Sequence, residues 1–238
     1  MVPLKNPQSP AGMRPELNLP ITCLITSGNT DANTTPQSKE FGRIVSLVEA
    51  AALAGITIVQ LREKRLSTRT LFELTKSCVQ AIGQQSTRLL VNDRADVAFG
   101  ASAEGVHLTT KSMPAKDIRI AFGDRFVIGV STHSLDEVRH AKYGLADFAT
   151  FGPVFHTSSK LIYGQPVGLQ ALRDAASLDA DFPLLALGGV NIERALECFK
   201  FGAKGIAGIS MFGDPNKLTD TVKAIRTAYL ESRGLLKN

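Results

Sequence analysis

The sequence predicts an α/β protein of a single domain, a (β/α)₈ TIM barrel in which eight parallel strands alternate with helices. Two observations predict this fold. Eight short runs are near-continuously apolar, as expected for strands that are covered on both faces. Most of these runs are followed by a stretch with apolar residues at helical spacing, and eight such units fit a chain of 238 residues.

The elements follow from these runs in chain order. Ser38–Leu53 and Leu71–Ile82 carry apolar residues at helical spacing, and Asn191 stands where a helix N-cap belongs. Asp214-Pro215 is typical of a cap followed by proline in the first turn. The predicted strands are Ile21–Thr26, Thr57–Arg62, Leu89–Asn92, Gly105–Leu108, Val127–Ser131, Phe148–Val154, Leu184–Val190 and Gly205–Ser210.

The first 20 residues have a different character from the rest. They contain five prolines and no apolar core, so we expect residues 1–20 to be a loose N-terminal extension and residues 21–238 to form the barrel. No run approaches the roughly 18 uninterrupted apolar residues of a membrane helix, so no membrane association is expected.

Composition narrows the class of partner. Hydrophobic residues make up 44% and charged residues 21%, which excludes wholesale disorder. The net charge of +5 favours anionic partners, but the basic residues are scattered and no basic cluster with interleaved aromatics indicates nucleic acid.

Three widely spaced cysteines fit a reducing compartment, so a cytoplasmic enzyme is expected.

Polar residues at the strand ends are the candidate site, because barrel enzymes place their chemistry there. The second strand ends in Gln60, Arg62 and Lys64, which alternate, so at least the first two face one side. An arginine there suits phosphate oxygens and a lysine adds a point charge. The alternative is an exposed, salt-bridged rim.

The third and fourth strands offer different groups. Asn92-Asp93 can hold an oxygen-liganded cation such as Mg²⁺, or can form an Asx turn that caps the next helix. His107 precedes an apolar residue inside a strand, which favours a core histidine over a catalytic one.

The fifth and sixth strands end in hydroxyls, histidine and lysine. Ser131 and His133 fall where reactive groups belong, although His133 could instead cap the helix that starts near Leu135. Thr157, Ser158, Ser159 and Lys160 resemble an anion cradle, and the alternative is a polar loop.

Glycines mark the last two strand ends. Gly188-Gly189 and Gly208-Ile209-Ser210 allow backbone N–H groups to approach an anion closely. The loops after strands seven and eight are the common phosphate site of this fold, so the two signals together predict a phosphate subsite.

Several motifs follow one another along the chain in the order of a known family. Together they identify that family more specifically than any single motif does. They are Gln60–Lys64 (QLREK), Asn92-Asp93, Gly105–Leu108 (GVHL), Gly129–His133 (GVSTH), Gly152–Lys160 (GPVFHTSSK) and Gly188-Gly189. From about Ile21 to Phe212 the sequence thereby resembles the thiamin phosphate synthase and TenI family.

The resemblance implies a (β/α)₈ barrel that couples hydroxymethylpyrimidine pyrophosphate with hydroxyethylthiazole phosphate and releases pyrophosphate. It assigns Gln60 to the pyrimidine, Asp93 to Mg²⁺, and to the pyrophosphate side Arg62, Lys64, Asn92, Ser131 and Lys160. Thr157 and Ser159 are assigned to the thiazole, and to its phosphate Gly189, Ile209 and Ser210, with Gly188 beside them. The residues predicted to be catalytic are Arg62, Lys64, Ser131, His133 and Lys160.

One departure from the family pattern keeps other functions open. Ser112 stands where a second magnesium-binding Asp is usual, and Lys111 replaces an acid. We therefore expect a weakened Mg²⁺ site. The alternatives are a TenI-type thiazole tautomerase, in which His133 moves protons, and a catalytically silent phosphate-binding barrel. Expected partners are small phosphorylated pyrimidine and thiazole substrates, with a homo-oligomer left open.

Overall fold

A computed structural model of the chain describes Arg14, residues 16–157 and residues 165–235. The strands form one closed parallel barrel in chain order, in which β8 pairs with β1 and completes the ring. The predicted (β/α)₈ barrel is therefore confirmed. The strands are β1 (Ile21–Ile25), β2 (Ile58–Leu61), β3 (Arg88–Asn92), β4 (Gly105–Leu108), β5 (Val127–Thr132), β6 (Phe148–Phe151), β7 (Leu184–Leu187) and β8 (Gly205–Gly208).

A helix follows each strand within the described residues. None of these helices combines the length and the apolar character needed to cross a membrane. Two 3₁₀ turns, Ser210–Phe212 and Pro215–Lys217, lie between β8 and the last helix. The helices are α1 (Lys39–Leu53), α2 (Thr68–Ile82), α3 (Ala95–Gly100), α4 (Ala115–Phe122), α5 (Leu135–Tyr143), α6 (Gly168–Ala176), α7 (Ile192–Lys200) and α8 (Leu218–Ser232).

Strands β6 and β7 end earlier than the apolar pattern predicts. Strand β6 ends at Phe151 because Pro153, which has no N–H to donate to a neighbouring strand, follows closely. Strand β7 ends at Leu187 because Gly188 and Gly189 adopt φ values of 96° and 65°, which lie outside the extended region. The apolar residues beyond these points belong to loops, so their hydrophobicity indicated burial but not strand.

The predicted helix caps are confirmed. The Asn191 side chain accepts a hydrogen bond of 2.9 Å from the backbone N–H of Arg194 in the first turn of α7. The Asp214 side chain accepts a hydrogen bond of 3.1 Å from the N–H of Asn216, and Pro215 lies in the same turn. This turn leads directly into α8. Each cap satisfies a backbone donor that a helix start leaves without a partner.

Two apolar layers hold the barrel together. The larger layer fills the space between the strands and the helices, and the smaller one fills the barrel interior. A side chain at Gly129 would overlap Phe148 and His107, so glycine at this point of β5 lets a phenyl ring and an imidazole share the interior. The interior residues are Ile21, Cys23, Ile25, Ile58, Leu90, Val127, Phe148, Leu185, Leu187 and Ala207.

The residues that directly precede β1 contact the N-terminal end of the barrel. Leu17 packs against the interior layer, and Pro20 is buried. Residues 1–13 and 15 lie outside the described part of the chain, where a loose extension stays a prediction. Removal of residues 16–20 would take away apolar contacts that the sequence did not indicate.

A buried ion pair fastens α4 to the start of β6. Arg119 Nη2 donates to Asp147 Oδ2 over 2.8 Å, and both side chains are 5% exposed. Arg119 also donates hydrogen bonds to the backbone oxygens of Phe126 and Gly123. Asp147 accepts a further hydrogen bond of 2.7 Å from the N–H of Ile128. Burial raises the pKa of Asp147, against the opposing effects of this N–H and of the Arg119 charge.

We expect Arg119→Met to lower the free energy of unfolding by about 3–5 kcal/mol, because it leaves a buried carboxylate without its cation. Urea unfolding measures this change. The matched control is Asp136→Ala, which breaks the exposed Arg139–Asp136 pair and should cost less than about 1 kcal/mol. Equal losses in the two variants would contradict a stabilising role for the buried pair.

Candidate active site

The barrel interior is polar along one arc at the C-terminal ends of the strands. Inward-facing residues of β2 to β6 are polar there, whereas the corresponding positions of β7, β8 and β1 are apolar. A polar arc opposite an apolar wall is typical of a pocket that orients a small organic ligand. The polar residues are Gln60, Asn92, His107, Ser131 and Thr150.

A chain of hydrogen bonds orients the first part of this arc. Gln60 Nε2 donates to Asn92 Oδ1 over 2.9 Å, and Asn92 Nδ2 donates to Asp93 Oδ2 over 2.7 Å. Within the described residues, Gln60 Oε1 and Thr150 Oγ1 are buried and make no hydrogen bond. Such atoms are costly unless a ligand or water meets them, so they mark the floor of a binding site.

The Asp93 carboxylate lies at the rim and receives further donors. Asp93 adopts φ +59°, and its Oδ1 accepts from Ser112 Oγ and, over 3.2 Å, from the N–H of Thr109. The N-cap of α3 is Arg94, and its side chain makes no cap hydrogen bond. Asp93 therefore does not cap α3, and the Asx-turn alternative is wrong. Its carboxylate instead contacts Ser112, the residue expected to face it.

The two cations after β2 have different exposures. Arg62 is half-buried and Lys64 is exposed. Within the part of the chain that the structure describes, neither side chain belongs to a salt bridge, so the salt-bridged rim is not observed there. Their charges are therefore available to an anion at this side of the barrel mouth.

Glu63, between these cations, is a residue that the sequence did not single out. Its side chain is almost completely buried. Burial, reinforced by the Glu63 charge, raises the pKa of the Cys78 thiol on α2 to about 12, so this carboxylate lies on the helix side of the barrel wall. Alternation explains the difference from Arg62, which follows Gln60 toward the interior.

His107 is buried in the core, as predicted, but it also contacts a candidate residue. Its Nε2 lies 3.0 Å from Ser131 Oγ, and its ring packs against Phe148 at 5.7 Å between centroids. The core interpretation is therefore correct but incomplete, because His107 orients the Ser131 hydroxyl. Only the fold brings these residues, on neighbouring strands, together.

His133 follows β5 and does not cap the next helix. The N-cap of α5 is Ser134, which accepts from the N–H of Glu137. His133 Nδ1 lies against the carbonyl oxygen of Gly152, which can only accept, so Nδ1 carries the proton in this contact. In the neutral imidazole Nε2 is then the basic nitrogen.

The glycines after β7 are held closely against the loop after β6. A Cβ at Gly188 would lie 2.6 Å from Pro153 Cβ, and one at Gly189 would lie 2.5 Å from the oxygen of His156. Only glycine fits this approach. Ile209 and Ser210 begin the 3₁₀ turn after β8, so the two predicted phosphate-binding turns lie at the ends of neighbouring strands.

An arginine that the sequence did not indicate stands beside these glycines. Arg194 Nη1 donates to the oxygen of Gly189 over 2.7 Å, and its guanidinium lies 4.7 Å from the centre of the Phe155 ring. Thr157, farther along the loop after β6, is half-buried. The predicted residues Ser159 and Lys160 lie outside the described residues, as does Ser158.

Comparison with known proteins gives this barrel a family. The model of the family described as Thiamine monophosphate synthase matches residues 32–212. The chain is 37% identical over 191 residues to the thiamine-phosphate synthase of Chlorobium luteolum, which covers 80% of this chain and 84% of that protein. It is 35% identical over 181 residues to the thiamine-phosphate synthase of Chloroflexus aurantiacus, over 76% of this chain and 83% of that protein.

A solved structure agrees with these relatives. The thiamine phosphate pyrophosphorylase of Pyrococcus furiosus superposes with a TM-score of 0.72 at 28% identity, over 87% of this chain and 96% of that one. The family match covers most of the barrel and includes the polar arc, the cations after β2 and both glycine turns. The chain therefore belongs to the thiamine monophosphate synthase family.

Proposed function

We propose that this chain is a thiamine-phosphate synthase that couples hydroxymethylpyrimidine pyrophosphate with hydroxyethylthiazole phosphate. The observation that carries the proposal is a pair of regions on one barrel mouth whose groups suit anions. Arg62 and Lys64, free of salt bridges within the described residues, lie on one side, and the glycine turns after β7 and β8 lie on the other. A synthase needs both regions, because each of its substrates carries phosphate.

The reaction breaks one bond and forms one. The carbon–oxygen bond to pyrophosphate breaks first, and its electron pair leaves with the pyrophosphate. The lone pair of the thiazole nitrogen then forms a carbon–nitrogen bond with the cationic pyrimidine methylene carbon. Pyrophosphate departs as an anion, so cations and hydrogen-bond donors placed around it lower the barrier.

The chain's own residues supply these donors in the proposal. Arg62, Lys64 and Ser131 meet the pyrophosphate, together with Lys160 and Asn92. Gln60 Oε1, a buried acceptor without a hydrogen bond in the described part, meets an N–H donor of the pyrimidine. The apolar wall of Ile25, Leu187 and Ala207 helps to exclude water from the cationic intermediate.

On the opposite side, Thr157 and Ser159 are proposed to face the thiazole. Backbone N–H groups at Gly188 and Gly189, with Ile209 and Ser210, would hold its phosphate. Gly189 lies close to the loop after β6, so the proposed thiazole and phosphate contacts are neighbours on this side of the mouth. In the proposal, the nucleophilic ring would thereby be held close to the electrophilic carbon.

Magnesium is proposed as the cofactor, with Asp93 as its single protein carboxylate. No group of three or more His, Cys, Asp or Glu residues that could hold a metal occurs among the described residues. One carboxylate together with phosphate oxygens and water still fits Mg²⁺, which often binds in this way. Bound Mg²⁺ would neutralise part of the pyrophosphate charge.

A thiazole tautomerase is the second candidate, and the contact of His133 favours it. The His133 ring is oriented by the contact of Nδ1 with the carbonyl of Gly152, and histidine is a side chain that suits proton transfer. Ser112 in place of a second carboxylate also suits a reaction without metal. The cation pair Arg62 and Lys64 favours the synthase, since a tautomerase has no pyrophosphate to stabilise.

Location and assembly complete the proposal. The three cysteines are buried and free, which agrees with a reducing compartment, and we propose that the enzyme is cytoplasmic. The partners are the two small substrates. A homo-oligomer and a catalytic domain that spans residues 21–238 stay predictions.

We expect Arg62→Ala to lower kcat/KM for the coupling reaction by about 10²–10³-fold, because it removes a donor to the leaving pyrophosphate. Steady-state release of pyrophosphate measures the change. The control is Arg69→Ala, which removes an exposed arginine of α2 and should leave the kinetics unaltered. Unaltered kinetics in a folded Arg62→Ala variant would contradict the assigned pyrophosphate region.

We expect Ser112→Asp to lower the Mg²⁺ concentration needed for half-maximal coupling, because it places a second carboxylate against Asp93. Activity titrated with Mg²⁺ measures this, and Ser112→Ala controls for loss of the hydroxyl. Full coupling activity in excess chelator would contradict the magnesium proposal. If the protein is a tautomerase, a chelator should not inhibit it, and His133→Ala should lower its isomerase activity.

A further inference from the structure

The buried Glu63 carboxylate binds the loop that connects β1 to α1. Its Oε1 accepts 3.2 Å from the N–H of Gly28. Its Oε2 accepts two hydrogen bonds from Thr30, one of 2.6 Å from Oγ1 and one of 3.4 Å from the backbone N–H. Glu63 is only 3% exposed, so the loss of these hydrogen bonds would leave a buried carboxylate poorly satisfied.

The same loop passes directly over Arg62. The N–H of Arg62 donates to Thr26 Oγ1 over 2.8 Å. At Gly28, with φ +74°, an added Cβ would lie 3.2 Å from the Arg62 oxygen and 3.7 Å from its Nη1. The backbone of the loop therefore runs along both the main chain and the guanidinium of Arg62.

Packing on the other side of the loop is incomplete. A cavity of about 630 Å³ lies between the loop and α1, and its lining includes Ser27, Asn29 and Thr30 from the loop and Gly42 from the helix. The loop is therefore not pressed onto β2 by α1 along this stretch. Its hydrogen bonds to Glu63 and to the end of β2 hold it against Arg62.

We propose that Glu63 is a positioning residue, which fastens the β1–α1 loop through Gly28 and Thr30 and thereby holds the Arg62 guanidinium in place for the pyrophosphate. The inference rests on the proposed function. A long arginine side chain loses conformational freedom when it binds an anion, and a fixed loop removes part of that cost in advance.

A carboxylate suits this role better than an amide. The Glu63 carboxylate has two oxygens that can accept, and they meet three donors from the loop. Glutamine has one acceptor oxygen, and its NH₂ group would face either the N–H of Gly28 or the donors of Thr30. Glu63→Gln should therefore loosen the loop although it has almost the same shape.

The test uses Thr30→Val, which keeps the shape of the side chain and removes the 2.6 Å hydrogen bond to Glu63. The matched control is Thr87→Val. Thr87 is also buried and donates 2.6 Å to the oxygen of Ile56, but it lies before β3, at the opposite end of the barrel. Thr30→Ser keeps the hydroxyl and serves as the rescue variant.

Binding of inorganic pyrophosphate in the presence of Mg²⁺ is measured by calorimetry for each variant, beside its melting temperature. We expect Thr30→Val to weaken pyrophosphate binding about 10-fold, the scale of one hydrogen bond to a charged group, and Thr30→Ser to restore it. Thr87→Val should lower the melting temperature without changing the affinity. Glu63→Gln provides a second variant with the same expectation as Thr30→Val.

Two failures can be told apart. If pyrophosphate binding is weakened in Arg62→Ala but unchanged in Thr30→Val and Glu63→Gln, Glu63 has no positioning role and this inference alone is wrong. If the folded wild-type protein binds no pyrophosphate, the proposed function fails and this inference fails with it.

Discussion

Closure of eight parallel strands into one ring determines where every candidate side chain points. Because side chains alternate along a strand, each strand contributes every second residue to the interior. Asn92 is paired with His107 across β3 and β4, and Ser131 with Thr150 across β5 and β6. A shift of one strand by a single residue would turn these groups toward the helices and would break the polar arc.

The interior is divided along the barrel axis, and this division makes the mouth a binding site. Near the N-terminal end it is filled by apolar side chains, including Ile21 and Val127, and Leu17 packs against this layer. Toward the C-terminal end, hydrogen bonds from Gln60 to Asn92 and from Asn92 to Asp93 fix the polar side chains in place. The floor of this region contains buried polar atoms that make no hydrogen bond within the described residues. Stability and function therefore occupy opposite ends of the same structure, as is usual for this fold.

Local patterns in the sequence predicted what depends on local physics. Apolar runs gave the strand order, and Asn191 and Asp214-Pro215 marked helix starts. The predicted strand ends were less accurate, because Val154 is buried and Val190 is partly buried in loops. Hydrophobicity does not distinguish a strand from a loop that packs on the core.

Two contacts that the sequence did not indicate join residues that are far apart along the chain. Glu63 meets Thr30, which lies 33 positions away, and His107 meets Ser131 across 24 positions, so neither contact leaves a local pattern. The contact of Ser112 with Asp93 was expected only because the family resemblance placed both residues at one site. The expectations for Ser159 and Lys160 lie outside the described residues and stay predictions.

Product analysis with the thiamin precursors tests the central claim most directly. The protein is incubated with hydroxymethylpyrimidine pyrophosphate, hydroxyethylthiazole phosphate and Mg²⁺, and separately with the thiazole carboxylate alone. The account predicts that thiamin phosphate and pyrophosphate form in equal amounts in the first mixture. Folded protein that yields neither product, but isomerises the thiazole carboxylate in the second mixture, would contradict it.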